Sequence, residues 1–267
     1  MLKTLQNAFK IKEIREKLLY TFFMLVVIRL GSQLPIPGVD TKFFAELFAR
    51  QSSDAFGFFN TITGGSFTNM SVFALSITPY ITSSIIMQLL TIAIPKLEEM
   101  QREGEDGRKK IAEYTRYLTV GLALMQSIAM SVGFGGRGLL IDFNAVSVIV
   151  AIATMTSGSA MLMWIGERIT ERGVGNGISI VLLFNIISTL PSDMITLYER
   201  FLVGKNVPVA TVSLIIILAI ILAMVVFVIV LQDGERRIPV QYSKKMQGRK
   251  MVGGQSTNIP LKVNTAG

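Results

Sequence analysis

From Val209 to Leu231 the chain carries no charged side chain, and aliphatic residues fill nearly every position. A run of that length crosses the hydrocarbon core of a bilayer as a helix, and few soluble folds can bury it. Five further runs read the same way, at 18–34, 67–94, 117–136, 143–166 and 177–197. With every backbone polar group needing an internal partner in lipid, such runs become helices. The chain is therefore predicted to be all-α, a polytopic membrane helical bundle of about six membrane-spanning helices. The composition agrees, with 51% hydrophobic and 16% charged residues in 267.

The charges left over sort by side. With the N-terminus placed inside, 20 of the 26 Lys and Arg fall in 1–17, 96–116, 167–176 and 232–267. The opposite loops hold only Lys42, Arg50, Arg137, Arg200 and Lys205. That asymmetry predicts both ends of the chain on the cytoplasmic side of a cell membrane. Residues 1–17 read as an amphipathic helix on the inner surface, 18–197 as five spans, 198–231 as an outer loop with a sixth span, and 232–267 as a basic cytoplasmic loop. The first span runs on into Pro35-Ile36-Pro37-Gly38 with no small-residue cleavage site, so no cleaved leader is expected. Arg29, near the outer end of that span, is expected to snorkel to the interface, an inward-facing functional charge being the alternative.

The stretch from 56 to 94 does not fit a simple span. Phe56–Ile62 is apolar but too short to cross, and Gly64-Gly65-Ser66 lets the backbone turn. The charge-free run after it is rich in Ser and Thr and contains Pro79, which is expected to kink the helix. A half-helix, a glycine break and a polar, kinked helix predict backbone that lines a cavity.

Several catalytic classes are excluded. The chain has no Cys and no His, which removes thiol and imidazole chemistry and the usual zinc sets, so no enzyme activity, metal or cofactor is expected. Ser157-Gly158-Ser159 has no activating neighbour at its depth and reads as close helix packing. Gly173-Val174-Gly175-Asn176-Gly177 lies between two spans, not between a strand and a helix, so it is read as a tight turn, with Glu167 and Arg172 pairing across it. The segment around Ile238, Val240 and Tyr242 is expected to form a short hairpin with a basic tip at Lys244, Lys245, Arg249 and Lys250. That tip is either a topology signal or a docking surface for an anionic partner.

Five motifs together carry a resemblance: Pro35-Ile36-Pro37-Gly38, the run from Gly64-Gly65-Ser66 to TPYITSSIIMQLL, EGEDGRKKIAEYTRY, MWIGERITERGVGNGISI and QSTNIPLKVNTAG. In order and spacing they resemble the SecY family of bacterial protein-conducting channels. The resemblance implies ten helices in two inverted halves around an hourglass pore, of which this chain holds the first inverted repeat and one helix more. On that reading the chain is a fragment, with the remaining helices on a second chain or a missing segment. The resemblance assigns a plug to about 56–69, with Phe58, Phe59 and Asn60 in it and Gly64 and Gly65 as its hinge. It assigns a pore ring to Ile77, Ile81, Ile178 and Leu182, whose i, i+4 spacing puts each pair on one helix face; Ile86 and Val181 are expected off that face. It assigns lateral-gate positions to Thr82 and Gln126, and partner docking to Arg237, Arg249 and Lys250. The implied partners are SecE, SecG, the SecA motor, the ribosome, signal sequences, unfolded polypeptide substrates and membrane lipid.

Two other classes fit the sequence less well. A small-solute secondary transporter shares broken helices and midplane Ser and Thr, but would usually carry an acidic residue near the membrane centre. An intramembrane protease would need paired carboxylates, a Ser–His pair or a zinc motif. Neither set is present in the sequence.

Overall fold

A computed structural model of the chain describes residues 11–42, 46, 54–204, 207–240, 245–247, 250–252 and 257–262. Each predicted span contains a helix. In chain order these are α1 (Lys12–Gly31), the short α2 (Asp54–Ile62), α3 (Thr78–Ala93), α4 (Pro95–Arg102), α5 (Glu105–Phe134), α6 (Ala145–Arg172), α7 (Gly177–Phe201) and α8 (Val207–Asp233). Four strands follow: β1 (Glu235–Val240), β2 (Lys245–Gln247), β3 (Lys250–Val252) and β4 (Thr257–Lys262). Helices α5 to α8 are each long and apolar enough to cross a membrane, and the α3–α4 pair makes a fifth span if its two bent halves are counted together. Helix α1 falls short on composition, because Glu13, Arg15, Glu16, Lys17 and Arg29 crowd its ends.

Contacts divide the chain into two compact units, Met1–Ser192 and Asp193–Gly267, the division falling in α7 just after Pro191. In the first unit, α5 of 30 residues is about 45 Å long, which exceeds the hydrocarbon thickness and lets its first turns, from Glu105 to Arg116, stay with the charged residues. Its buried face is a column of small and hydroxyl residues at Thr115, Thr119, Ala123, Ser127 and Ser131, one every fourth position. Thr115, Thr119 and Ser127 donate back to the carbonyl four residues earlier, and Ser127 Oγ also accepts from the Thr156 hydroxyl of α6 at 3.1 Å. Small residues on this face let α3 and α6 come close.

Three sequence-based expectations change here. The predicted amphipathic helix over 2–17 falls partly outside the described residues, and Lys12–Lys17 form the first turns of α1 itself. Pro79 does not kink a longer helix: it stands in the first turn of α3, where its missing N–H is no loss. Residues 67–77, expected to be helical, run as successive turns that continue the break at Gly64-Gly65-Ser66, and the sharp bend instead lies at Ile94, where α3 and α4 meet at 101°.

This turn-rich segment is tolerated because it is buried in protein. Thr63, Ser66, Ser71 and Ser76 are all buried, and their backbone groups have partners such as Ser71 N–H to the Ser66 carbonyl (3.0 Å). The Pro-Ile-Pro-Gly turn docks on it. Ile36 N–H donates to the Met70 carbonyl at 3.0 Å, and Val72 N–H donates to the Leu34 carbonyl at 2.9 Å. Ile36 then joins Phe67, Met70, Ala74, Leu75, Ala123, Leu139, Leu140 and Met155 in one apolar core.

In the second unit, α8 is apolar on every face and has no buried residue among those described, as a lipid-facing helix requires. The expected hairpin is present and longer than expected. β1 pairs antiparallel with β4 from Glu235↔Lys262 to Val240↔Thr257, and β2 with β3 from Lys245↔Val252 to Gln247↔Lys250. The chain is thus all-α through its apolar part, and only the polar tail adds strands.

Candidate functional site

Ile77, Ile81, Ile178 and Leu182 come from two helices separated by a hundred residues of chain, yet they share one cluster. Ile77 is only 1% exposed, and Ile81, Ile178 and Leu182 pack half-buried against the same core, with Phe73, Ile165 and Ile169 beside them. Ile77 stands just before α3, and its carbonyl accepts the Ile81 N–H at 3.1 Å, which preserves the i, i+4 relation. What lets the two pairs meet is Gly166 on α6. A Cβ there would lie 3.2 Å from Ile178 Cγ1 and 3.5 Å from Ile77 Cδ1. Gly166 is the residue that the sequence reading missed, and its only signal was a glycine beside Trp164 and Glu167. Val181, expected off this face, is fully buried in the same cluster, while Ile86 is half-buried.

The segments that carry these four residues are held by backbone contact at small residues. At Gly158 a Cβ would collide with the Val72 carbonyl, and at Gly177 with the Gly166 carbonyl. Ser159 donates to the Ser76 carbonyl at 3.2 Å, so the Ser-Gly-Ser motif is a packing seat, as its lack of an activating neighbour implied. The Gly-rich turn does bring the start of α7 against α6, with Gly177 N–H donating to Thr170 Oγ1 at 2.9 Å and Val174 N–H donating to Thr21 Oγ1 at 3.2 Å.

The short helix α2 packs on the other apolar core, the one around Ile36 and Phe67. Phe59 packs edge-on against Phe67, with ring centroids 4.9 Å apart, and reaches the core that contains Ile36 and Met70. Phe58, one residue round the helix, is 69% exposed, so within this chain only one of the two phenylalanines packs. The Asn60 Oδ1 accepts from Thr68 N–H (3.2 Å) and from the Thr68 hydroxyl, which ties α2 to the segment it leads into. Gly64 and Gly65 both have positive φ, +67° and +82°, a conformation that side chains resist.

Arg29 does not snorkel. Its Nη1 donates to the Gly64 carbonyl at 3.0 Å and to Ser188 Oγ at 3.2 Å, turning inward rather than to the interface. Glu167 does not pair with Arg172. It accepts from Arg116 Nε at 2.8 Å and so joins α6 to α5; Arg172 lies five residues further along the same helix, where the two side chains point to different faces. That hydrogen bond raises the Arg116 pKa above its ordinary value.

The remaining predicted positions are more scattered. Thr82 is exposed, with its hydroxyl donating to the Thr78 carbonyl at 3.1 Å, and Gln126 is half-buried on α5; no hydrogen bond joins them among the described residues. The polar face of α3 does line a cavity of about 310 Å³ against α4 and α5, bounded by Tyr80, Ser84, Gln88, Gln101, Arg108 and Thr115. Arg237 lies exposed on β1 opposite Pro260, and Lys250 opens β3; Arg249 lies outside the described residues.

Comparison with known proteins bears on the whole arrangement. Residues 71–267 match the family model described as SecY. The chain is 44% identical over 273 residues to the protein translocase subunit SecY of Halalkalibacterium halodurans, covering 100% of this chain and 63% of that protein. It is 41% identical over 259 residues to the subunit of the same name from Escherichia coli, covering 96% of this chain and 58% of that protein. It therefore spans about three fifths of the length of the curated relatives it matches. Among solved structures, a protein-conducting channel superposes with a TM-score of 0.51 at 21% identity, over 93% of this chain and 52% of that one. A second, described as a SecY protein whose plug domain stabilises the closed state of its channel, gives 0.54 at 19% identity with the same coverage. The order of helices, the turn-rich entry to α3 and a match running through to the last residue have one common source, and the chain belongs to the SecY family.

Proposed function

We propose that this chain supplies the first half of a channel through which unfolded polypeptides cross the membrane or leave it sideways into lipid. The observation that carries this reading is the meeting of Ile77 and Ile178 over Gly166, beside a short helix hinged at Gly64. Ile77, Ile81, Ile178 and Leu182 form part of the constriction. Flexible aliphatic side chains can keep an empty opening dry and still yield to a passing chain, because they offer it no hydrogen bond. Helix α2, through about Asn69, is the plug. Thr82 and Gln126 belong to the side exit, and both ends of the chain face the cytoplasm. The channel works without a site for chemistry of its own, the driving force coming from partners: the SecA motor or a ribosome, with SecE and SecG completing the assembly. The relatives' shared description as translocase subunits supports this assignment.

Deleting 57–66 tests it. No spanning helix is lost, so insertion of the completed channel should be unaffected while its resting ion conductance in planar bilayers rises. Unchanged conductance would remove the plug from the mechanism.

The basic tail is the docking surface for the motor or the ribosome. Reversing the charge of Arg237, Arg249 and Lys250 is expected to weaken binding of either partner at low salt. Raising salt from 50 to about 200 mM should weaken the unaltered channel in the same direction, since exposed charges are screened within about 10 Å. Binding that survives all three reversals would leave the tail with an orienting role alone.

A further inference from the structure

Arg29 is a cation in an otherwise uncharged part of α1, and among the described residues no carboxylate pairs with it. Its guanidinium is instead spent on a backbone carbonyl and a hydroxyl, Gly64 at 3.0 Å and Ser188 at 3.2 Å. The hinge glycine is gripped from the other side too. A Cβ on Gly64 would lie 3.1 Å from both Asn185 Cα and Ser188 Oγ, so the hinge lies directly on α7. Ser188 donates in turn to the Asn185 carbonyl at 2.7 Å, and the Asn185 amide donates to Ser76 Oγ at 3.1 Å. Ser76, at φ +52°, is a strained residue immediately before Ile77. One turn of α7 therefore touches both the hinge behind α2 and the entry to the ring.

We infer that Arg29 is the latch of the plug: its hydrogen bond to the Gly64 carbonyl holds the hinge down on α7, and α2 swings out only when that bond breaks. The inference rests on reading α2 as the plug. Hydrogen bonds to a charged donor are stronger than neutral ones, and more so where water is scarce, so one such contact is enough to bias a hinge. A latch built from α1 and α7 also makes opening depend on how those two helices move apart. Anything that separates them, a peptide pushing between them included, releases the plug.

The chain contains no cysteine, so a single introduced thiol reports its own site. Thr63 is fully buried at the hinge and differs little from cysteine in size, which makes Thr63→Cys a probe that reacts only when the hinge lifts. In the completed channel in membranes, Arg29→Met is expected to speed reaction of that thiol with a water-soluble maleimide by about tenfold. Ser188→Ala should speed it less, and the pair together by less than the product of the two. A Leu162→Cys probe, buried in the apolar cluster away from the hinge, should stay unreactive throughout. Equal acceleration at Leu162 would mean general loosening and would overturn the latch. So would unchanged Thr63→Cys reactivity in Arg29→Met and Ser188→Ala. If deleting 57–66 raises conductance while these substitutions leave the thiol protected, the plug stands and the latch falls. If the deletion changes nothing, the plug reading itself is lost.

Discussion

Serine at Ile77 is expected to make the resting channel leak ions several-fold more than the unaltered protein, and serine at both Ile77 and Ile178 to make it leak more again. Ile77 is almost completely buried against Ile178 over Gly166, so each substitution replaces a dry aliphatic contact with a hydroxyl that recruits water. A constriction that excludes ions by staying dewetted fails once its wall can hold a water chain. The measurement is conductance in planar bilayers with the remaining helices supplied. A fair control has to match burial, because losing a buried Ile side chain costs about 2–5 kcal/mol wherever it sits. Leu162→Ser serves, being equally buried in the same cluster but on α6. Ile86→Ser, half-buried on the opposite face of α3 from Ile77 and Ile81, tests whether any serine on that helix suffices. Equal leakage from Leu162→Ser would mean general destabilisation, and no leakage from Ile77→Ser would remove the ring.

Valine at Gly158 is expected to do the most damage to folding. A Cβ there meets the backbone carbonyl of Val72, which cannot swing aside as a flexible side chain would. That carbonyl lies in the turn-rich segment leading to α3, so relief requires moving the whole stretch before Ile77. Overpacking of this kind costs about 3 kcal/mol or more. Steady-state level in the membrane and the midpoint of thermal unfolding should both fall sharply for Gly158→Val, and clearly for Gly158→Ala. Gly121→Ala is the matched control. It has open space around its Cβ position, so its effect should stay within about 1 kcal/mol. Wild-type levels of Gly158→Val would mean that α6 and the 70–77 segment do not pack as described.

These two experiments fall on either side of what a sequence can carry. The positions of the helices follow from it, because lack of charge over some twenty residues is a property of the run itself and lipid forces such a run into a helix. The break at Gly64-Gly65 and the small-residue seat at Gly158 were legible for the same reason: glycine's lack of a side chain is local information. So was the tail hairpin, from the alternation at Ile238 and Val240.

What Pro79 does was not local. The same residue kinks a helix that arrives from before it and starts a helix when nothing helical precedes it. The choice was made by Ile36 and Val72, whose backbone bonds tie 70–72 to the 34–36 turn and keep it out of a helix. Arg29 and Glu167 show the same limit for charge. Snorkelling of Arg29 and a pair between Glu167 and Arg172 across the turn each used only partners near in sequence. Only the approach of Gly64 and Ser188 on one side, and of Arg116 on the other, offered a nearer partner. Gly166 is the sharpest case. Nothing in its neighbours marks it, and it matters only because Ile77 and Ile178 both come up against the position where its side chain is missing. The sequence by itself determined which segments enter the membrane, since burial in lipid is a sum over neighbouring residues. The tertiary structure alone decided which of their side chains meet, since hydrogen bonds and close contacts depend on partners that the order of the chain leaves far apart.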